Sequence, residues 1–374
     1  MSQTRSVVLA FDSFKGSLTS GQACRAAAEG VRRAGATPVE CPLSDGGEGF
    51  VESLCSVAGG SVETFSVTGP LGEPVAAHVG LMPDDRTAIV ETAQACGLGL
   101  VPDTLRSPMR TTSRGLGEIL RRLAGRARRV IVGLGGSATN DCGIGMLAAL
   151  EWRFLDPAGN ELPAIGASLD RVTRIEPGLR LAELQIVAAC DVDNPLFGPR
   201  GAALVYGPQK GASAEEAQVL DRGLRRVAEL IAPAEASRPG AGAAGGLGFA
   251  LSACLGGQIA SGAELAIELA SLQDRLKNAA MCLTGEGRTD SQTLSGKLPN
   301  AVANACRRAG VPCHCVSGAL GPGWEGMLDV GCKSVLALRK DGEDAGRAFA
   351  EAGERLANAA ESLTKANVFE GGSR

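Results

Sequence analysis

The sequence predicts a two-domain α/β protein, with one parallel-sheet domain built from both chain ends and a mixed α/β domain inserted between them. Three observations point to it. At 374 residues the chain is long enough for about two domains of roughly 150 residues each. Both ends alternate apolar, β-branched runs with glycine-bearing loops and helix-period stretches. Near residue 60 the texture changes to short strands separated by Pro/Gly turns. Residues 1–60 and 275–374 are therefore expected to form one domain and 61–274 the other, with the active site in the cleft between them.

Taken in order, Ser6–Ala10 reads as a buried strand, Asp12–Ser17 as the loop after it and Ser20–Ala34 as a helix. The strand Pro38–Leu43 leads into Ser44–Gly49, and Phe50–Ala58 has helical spacing. Strands follow at Val62–Val67, Val75–Leu81 and Ala88–Glu91, then a helix from near Thr112. Val130–Leu134 is a strand, Gly133–Gly145 a glycine-rich turn and Ile144–Phe154 a helix-period stretch. Ile186–Ala189 reads as a buried strand and Ala214–Ile231 as a helix. Gly240–Gly245 matches G-x-G-x-x-G, but APAEASRPG rather than a strand precedes it, so the reading is a flexible glycine loop opening the helix Leu247–Leu255. The last third supplies strands at Ala280–Thr284, Val311–Ser317 and Ser334–Leu338, and helices at Asn300–Ala309 and Glu343–Leu363, with a frayed tail after Thr364.

Composition narrows the function classes. Hydrophobic residues make up 44% and charged residues 21%, an ordinary globular balance. A net charge of −4, 3% aromatics and a single Tyr leave neither the basic field nor the stacking surface of a nucleic-acid binder. The one basic cluster, Arg121, Arg122, Arg126, Arg128 and Arg129, reads as the solvated end of a helix. Twelve cysteines without a C-x-x-C pair fit buried free thiols in a reducing cytoplasm. No run reaches the roughly 18 apolar residues of a membrane span, and MSQTRSVVLAFDS carries no signal-peptide core, so no membrane partner is expected. With only His78 and His314, histidine-ligated zinc and a Ser-His-Asp triad are poor readings.

The stretch GLGGSATNDCGIG, Gly133–Gly145, carries the strongest chemical signal. Glycines let backbone approach a ligand, and unpaired N–H groups at a helix start attract anions. Gly135, Gly136, Ser137, Asn140 and Asp141 thus form either a phosphate or substrate site, or a turn whose Asn140 or Asp141 caps the helix. Ser13 and Lys15 follow the first strand, where α/β proteins bind ligands, and Lys15 reads as either a phosphate cation or a solvated loop lysine. Asp45 and Glu48 among Gly46, Gly47 and Gly49 are either a substrate or metal site or an acidic turn. Glu91, at the end of a strand before Thr92 and Ala93, reads as either a carboxylate facing a cleft or, preferred, an edge carboxylate in water. Asp191 ends another buried strand, a position from which carboxylates hold Mg²⁺.

Seven motifs together carry a resemblance to a known family: DSFKGS (Asp12–Ser17), DGGEG (Asp45–Gly49), GGSATND (Gly135–Asp141), CDVDNPLFGPRG (Cys190–Gly201), GPQKG (Gly207–Gly211), GAGAAGG (Gly240–Gly246) and GEGRTD (Gly285–Asp290). In that order, nearly end to end, they resemble the bacterial type-1 glycerate kinase family. The resemblance implies a flavodoxin-like domain from both termini and ATP- and Mg²⁺-dependent phosphorylation of D-glycerate, usually at the 2-hydroxyl. The alternatives are the 3-phosphate, a related hydroxy acid, or a non-catalytic sensor; a dehydrogenase is disfavoured because no glycine loop has the dinucleotide context. Two departures stand out: Cys142 where a glycine is usual, and Ser295 where histidine is often found.

Phosphoryl transfer needs a metal, cations on the transferred group and a carboxylate to orient or deprotonate the attacking hydroxyl. Lys15, Lys297 and Arg288 are the cation candidates, with Ser13 beside Lys15; Asp191, Asp290 and Glu286 are the metal candidates, and Asp45 and Asp141 the base candidates. Arg200 or the Gly135–Ser137 amides would hold the glycerate carboxylate. The enzyme is expected to act as a monomer or homodimer.

Overall fold

The computed structural model describes residues 5–84, 86–340 and 342–370. The opening residues 1–4 and the tail 371–374 lie outside them. The chain forms two compact α/β units. One comprises the described residues of Met1–Asp45, Glu52–Gly59 and Ala263–Arg374; the other comprises those of Gly46–Val51 and Gly60–Gly262.

The first unit holds a five-stranded, all-parallel sheet in the order Cys332–Ala337, Cys313–Ser317, Ala279–Gly285, Ser6–Phe11, Thr37–Glu40. Counted along the chain this is order 2-1-3-4-5, the flavodoxin-like winding. A parallel sheet is covered on both faces, which is why its strands are continuous apolar runs; Val7 to Phe11 are fully buried. The helix Ser20–Arg33 starts where Thr19 and Gln22 satisfy each other's backbone N–H groups.

The second unit holds a six-stranded mixed sheet in the order Gln258–Ala260, Gln185–Ala189, Arg129–Gly133, Thr87–Glu91, Pro74–Leu81, Ser61–Thr68. Its first four strands are parallel and the last two antiparallel. The four parallel strands therefore deliver their loops to one edge of the sheet: Thr92, Gly133–Asp141, Cys190–Asn194 and Ser261. The arginine cluster is largely spent at the surface, where Arg121 pairs with Glu151, Arg126 with Glu63, and Arg122 and Arg126 lie over the Phe65 ring. No helix among the described residues is long and apolar enough to cross a membrane.

Several elements differ from the sequence expectation. The helix expected over Ile144–Phe154 stops at Ala149, and Arg153–Leu155 pairs antiparallel with Arg174–Glu176. The reversal turns on Glu151 at φ +68°. Buried Trp152 and Phe154 fit a period of two as well as a helical face, so the pattern was ambiguous. The helix expected over Glu343–Leu363 is two, Ala345–Ala350 and Ala352–Thr364; Asp344 caps the first, and Lys365–Glu370 continues beyond the second as a π-helical turn.

The glycine loop Gly240–Gly246 is buried rather than free. Ala244, Gly245 and Gly246 all take positive φ and kink the helix Ala243–Leu255 against the Thr139–Cys142 turn. A Cβ on Gly245, at φ +70°, would lie 2.1 Å from the Thr139 carbonyl oxygen and 2.6 Å from the Asn140 Cα. Gly245→Ala is expected to cost on the order of 3 kcal/mol, the sum of overpacking and left-handed strain. Urea unfolding checks it, and an unchanged midpoint and slope would contradict the packing described.

Candidate active site

In a flavodoxin-like sheet the ligand crevice lies at the carboxyl ends of the strands where the winding reverses. In the first unit that point falls between Ser6–Phe11 and Ala279–Gly285, and the Asp12 N–H donates to the Gly285 carbonyl at 3.0 Å. The loops Asp12–Ser17 and Gly285–Asp290 are thereby held side by side. Asp12 is buried, and its carboxyl is pushed well above the usual range first by that burial, then by the charges of Asp45 and Glu286. Glu286 is also buried and raised, by burial first and then by Asp45 and Asp290, against the opposing pull of Thr293 and Lys297. Thr293 Oγ1–H donates to Glu286 Oε1 at 2.6 Å and fixes its rotamer. Asp290 receives the Gln292 N–H at 2.9 Å and pairs with Arg288 at 3.3 Å. Lys15 is exposed and lowers the Asp12 carboxyl; Ser13 is half-buried.

The structure thus brings Asp45, Glu286, Asp290, Lys15 and Lys297 into one electrostatic neighbourhood with Asp12, which the sequence analysis left out of its candidates. Burying like charges together is costly unless a cation joins them. The donor set is all carboxylate oxygen, the chemistry that hard divalent ions prefer.

In the second unit the Gly133–Gly145 turn is built around Asp141, which is fully buried. Its Oδ2 accepts the Ser113 N–H and hydroxyl, each at 2.8 Å, and the Gly145 N–H at 3.2 Å; its Oδ1 accepts the Gly143 N–H at 3.1 Å. Burial raises this carboxyl and those four donors oppose the rise. Its carboxylate is therefore engaged in tying the turn to the start of the helix Arg114–Leu123. Cys142, beside it, sits at φ +53°, a conformation glycine adopts without strain.

Lys210, from GPQKG, was not among the sequence candidates. It is buried, and its ammonium donates to Ser137 Oγ at 2.9 Å and to the Thr139 carbonyl at 2.6 Å. Burial pulls its pKa down to about 8, against the opposing charges of Cys96 and Asp141. Next to it Asn140 is 1% exposed, and neither its amide nitrogen nor its oxygen has a hydrogen-bond partner among the described residues. Each unmatched buried polar group costs roughly 1–3 kcal/mol, which the groups of a polar ligand would offset. Gly135 is half-buried and Gly136 exposed at φ +70°.

The remaining candidates lie elsewhere in this unit. Asp191 accepts the Ser261 hydroxyl at 2.9 Å and the Gly262 N–H at 3.1 Å, and Arg200 is exposed and paired with Asp193 at 2.8 Å. Glu91, expected in water, is fully buried; it receives the Val51 N–H at 2.6 Å and the Gly49 N–H at 3.3 Å, which anchors the glycine-rich loop after Asp45.

The chain thus combines a flavodoxin-like unit that gathers carboxylates and lysines at its strand ends with a mixed α/β unit whose glycine-rich turn is buried against Lys210. The sequence model of the Glycerate kinase family matches residues 7–367. A glycerate kinase of Bacillus subtilis (strain 168) is 40% identical over 367 residues, 96% of each chain, and a glycerate 2-kinase of Escherichia coli K12 is 44% identical over 84% of this chain and 85% of its own. A crystal structure assigned as a glycerate kinase 2 of Salmonella typhimurium LT2 superposes with a TM-score of 0.83 at 38% identity, covering 99% of this chain and 100% of that one. The chain belongs to the glycerate kinase family and is a phosphotransferase.

Proposed function

We propose that the enzyme transfers the γ-phosphoryl group of ATP to the 2-hydroxyl of D-glycerate in the presence of Mg²⁺. The observation that carries the reading is the buried carboxylate cluster with its lysines at the strand ends of the first unit; the second unit, taken by itself, adds a buried polar turn whose Asn140 is unmatched. Asp12, Glu286 and Asp290 would hold Mg²⁺, which when bound would neutralise phosphate charge during transfer. Lys15 and Lys297 set positive charge beside that cluster, and Ser13, whose N–H is donated to Asp12 Oδ1 at 2.6 Å, offers its hydroxyl to a phosphate oxygen. Asp45 remains as the carboxylate that orients and deprotonates the attacking hydroxyl.

On the second unit the glycerate carboxylate is matched to the Lys210 ammonium and the Gly135–Ser137 backbone, and Asn140 meets a glycerate hydroxyl with whichever amide atom it requires. Asp141 acts by positioning, because every hydrogen bond it accepts holds the turn in shape. Asp191 holds the Cys190–Asn194 loop through Ser261 and Gly262. The relative named glycerate 2-kinase favours the 2-phosphate. With ATP and Mg²⁺, D-glycerate is expected to trigger ADP release in a coupled assay; folded protein that releases no glycerate-dependent ADP would overturn the proposal.

A further inference from the structure

Four cysteines that the reaction does not use meet inside the first unit. Cys282 and Cys313 are register partners on adjacent parallel strands, and Cys313 is in turn the partner of Cys332 on the edge strand, so the three form a row across the sheet. Cys306 comes down on this row from the helix Leu298–Ala309, which packs against both inner strands. The Sγ atoms of Cys282, Cys306 and Cys313 all lie within 4.8 Å of one another, and the three side chains are 0–1% exposed. Cys332, 4% exposed, is Cys313's register partner on the edge strand.

We propose that Cys282, Cys306 and Cys313, with Cys332 as the fourth donor, form a binding site for one soft, thiophilic d¹⁰ cation of the Zn²⁺, Cd²⁺ or Cu⁺ class. The donor set decides the class: thiolates select such ions, whereas Mg²⁺ and Ca²⁺ need oxygen. All four thiols are free in the structure, and a disulfide within the group is the competing outcome that the test below separates from a metal site. Metal–sulfur bonds of about 2.3 Å place tetrahedral thiolates roughly 3.8 Å apart, which small rotamer changes reach from the separations observed. Three of the four donors stand on a rigid sheet and the fourth on its covering helix, so an ion would cross-link two layers of the unit.

The test uses the whole, fully reduced chain stripped with a chelator and then titrated with Cd²⁺ alone. One ion per chain is expected to survive desalting and a weak chelator, with a thiolate-to-cadmium charge-transfer band, proton release on binding and a raised Tm. Cys306→Ala and Cys313→Ala should each lose the stoichiometric ion and its band, while Cys254→Ala, in the other unit, should keep both; the Tm of each stripped variant reports folding. Absence of stoichiometric Cd²⁺ in the folded wild type would overturn the site, as would retention of ion and band by both folded variants. Loss of two hydrogens from the intact mass, mapped to a bond within this group in the protein as purified, would overturn it in favour of a disulfide. The outcome is independent of the kinase reading, because no step of the titration needs glycerate or ATP.

Discussion

Lys210→Met is expected to lower kcat/KM for D-glycerate by about 10²–10³, the loss of about 2.7–4 kcal/mol that follows removal of one well-aimed charged contact in the transition state. Methionine keeps most of the volume, so the fold should survive. The exposed cost is the Ser137 hydroxyl and the Thr139 carbonyl left without their ammonium partner, roughly 1–3 kcal/mol. The wild-type pH profile carries a second readout. With its pKa held near 8, the ammonium is lost as pH rises through that value, and kcat/KM should fall there in the wild type but not in the variant. Stability moves the other way. Between about 8 and the ordinary lysine value of about 10.4 the unfolded chain holds a proton that the folded one has released, so this group favours folding more as pH climbs through that window. A variant with near-normal kcat/KM and an unchanged alkaline limb would remove Lys210 from the site.

Asp12→Asn is expected to separate activity from stability. Turnover at fixed Mg²⁺ should fall by about 10²–10³ and the Mg²⁺ concentration for half-maximal rate should rise, because a charged metal ligand becomes a neutral one. Thermal stability should hold or improve, since the substitution takes one negative charge from a buried group already crowded by Asp45 and Glu286. The sign follows from the raised carboxyl. Above the usual carboxylate range the folded protein keeps a proton that the unfolded chain has released, so the wild type loses stability as pH rises through that window and the variant does not. Turnover and melting measured side by side check it; full turnover, or loss of turnover only through unfolding, would show that Asp12 does not serve the metal.

The parts of the site legible in the sequence were those that strand and loop place next to each other along the chain. Ser13, Lys15 and Gly285–Asp290 each follow a buried strand, and the sheet winding then sets the two loops side by side; Asp12, at the first strand's very end, went unread because its role comes from burial beside Asp45 and Glu286. Lys210 was not legible in that way: it sits in a short turn after Ala202–Tyr206, and its value comes from burial against Ser137 and Thr139, more than 70 residues away. Glu91 shows the same limit, since what turns an apparent edge carboxylate into a buried anchor is the Val51 N–H, 40 residues earlier. For Asp141 the residue was evident and its use was not. A carboxylate after glycines fits a base and a cap equally well until its four donors are seen. Cys142 is the converse: its departure from the family glycine was readable, but the φ of +53° that explains the glycine was not.

The most direct measurement of the central reading is the ³¹P NMR spectrum of the product made from D-glycerate, ATP and Mg²⁺. Phosphorylation at the 2-hydroxyl gives a secondary ester whose phosphorus is split into a doublet by its single neighbouring proton, the expected result. A triplet from a primary ester would place the phosphate on the 3-hydroxyl, and the absence of any new phosphate ester from folded enzyme would contradict the kinase reading itself.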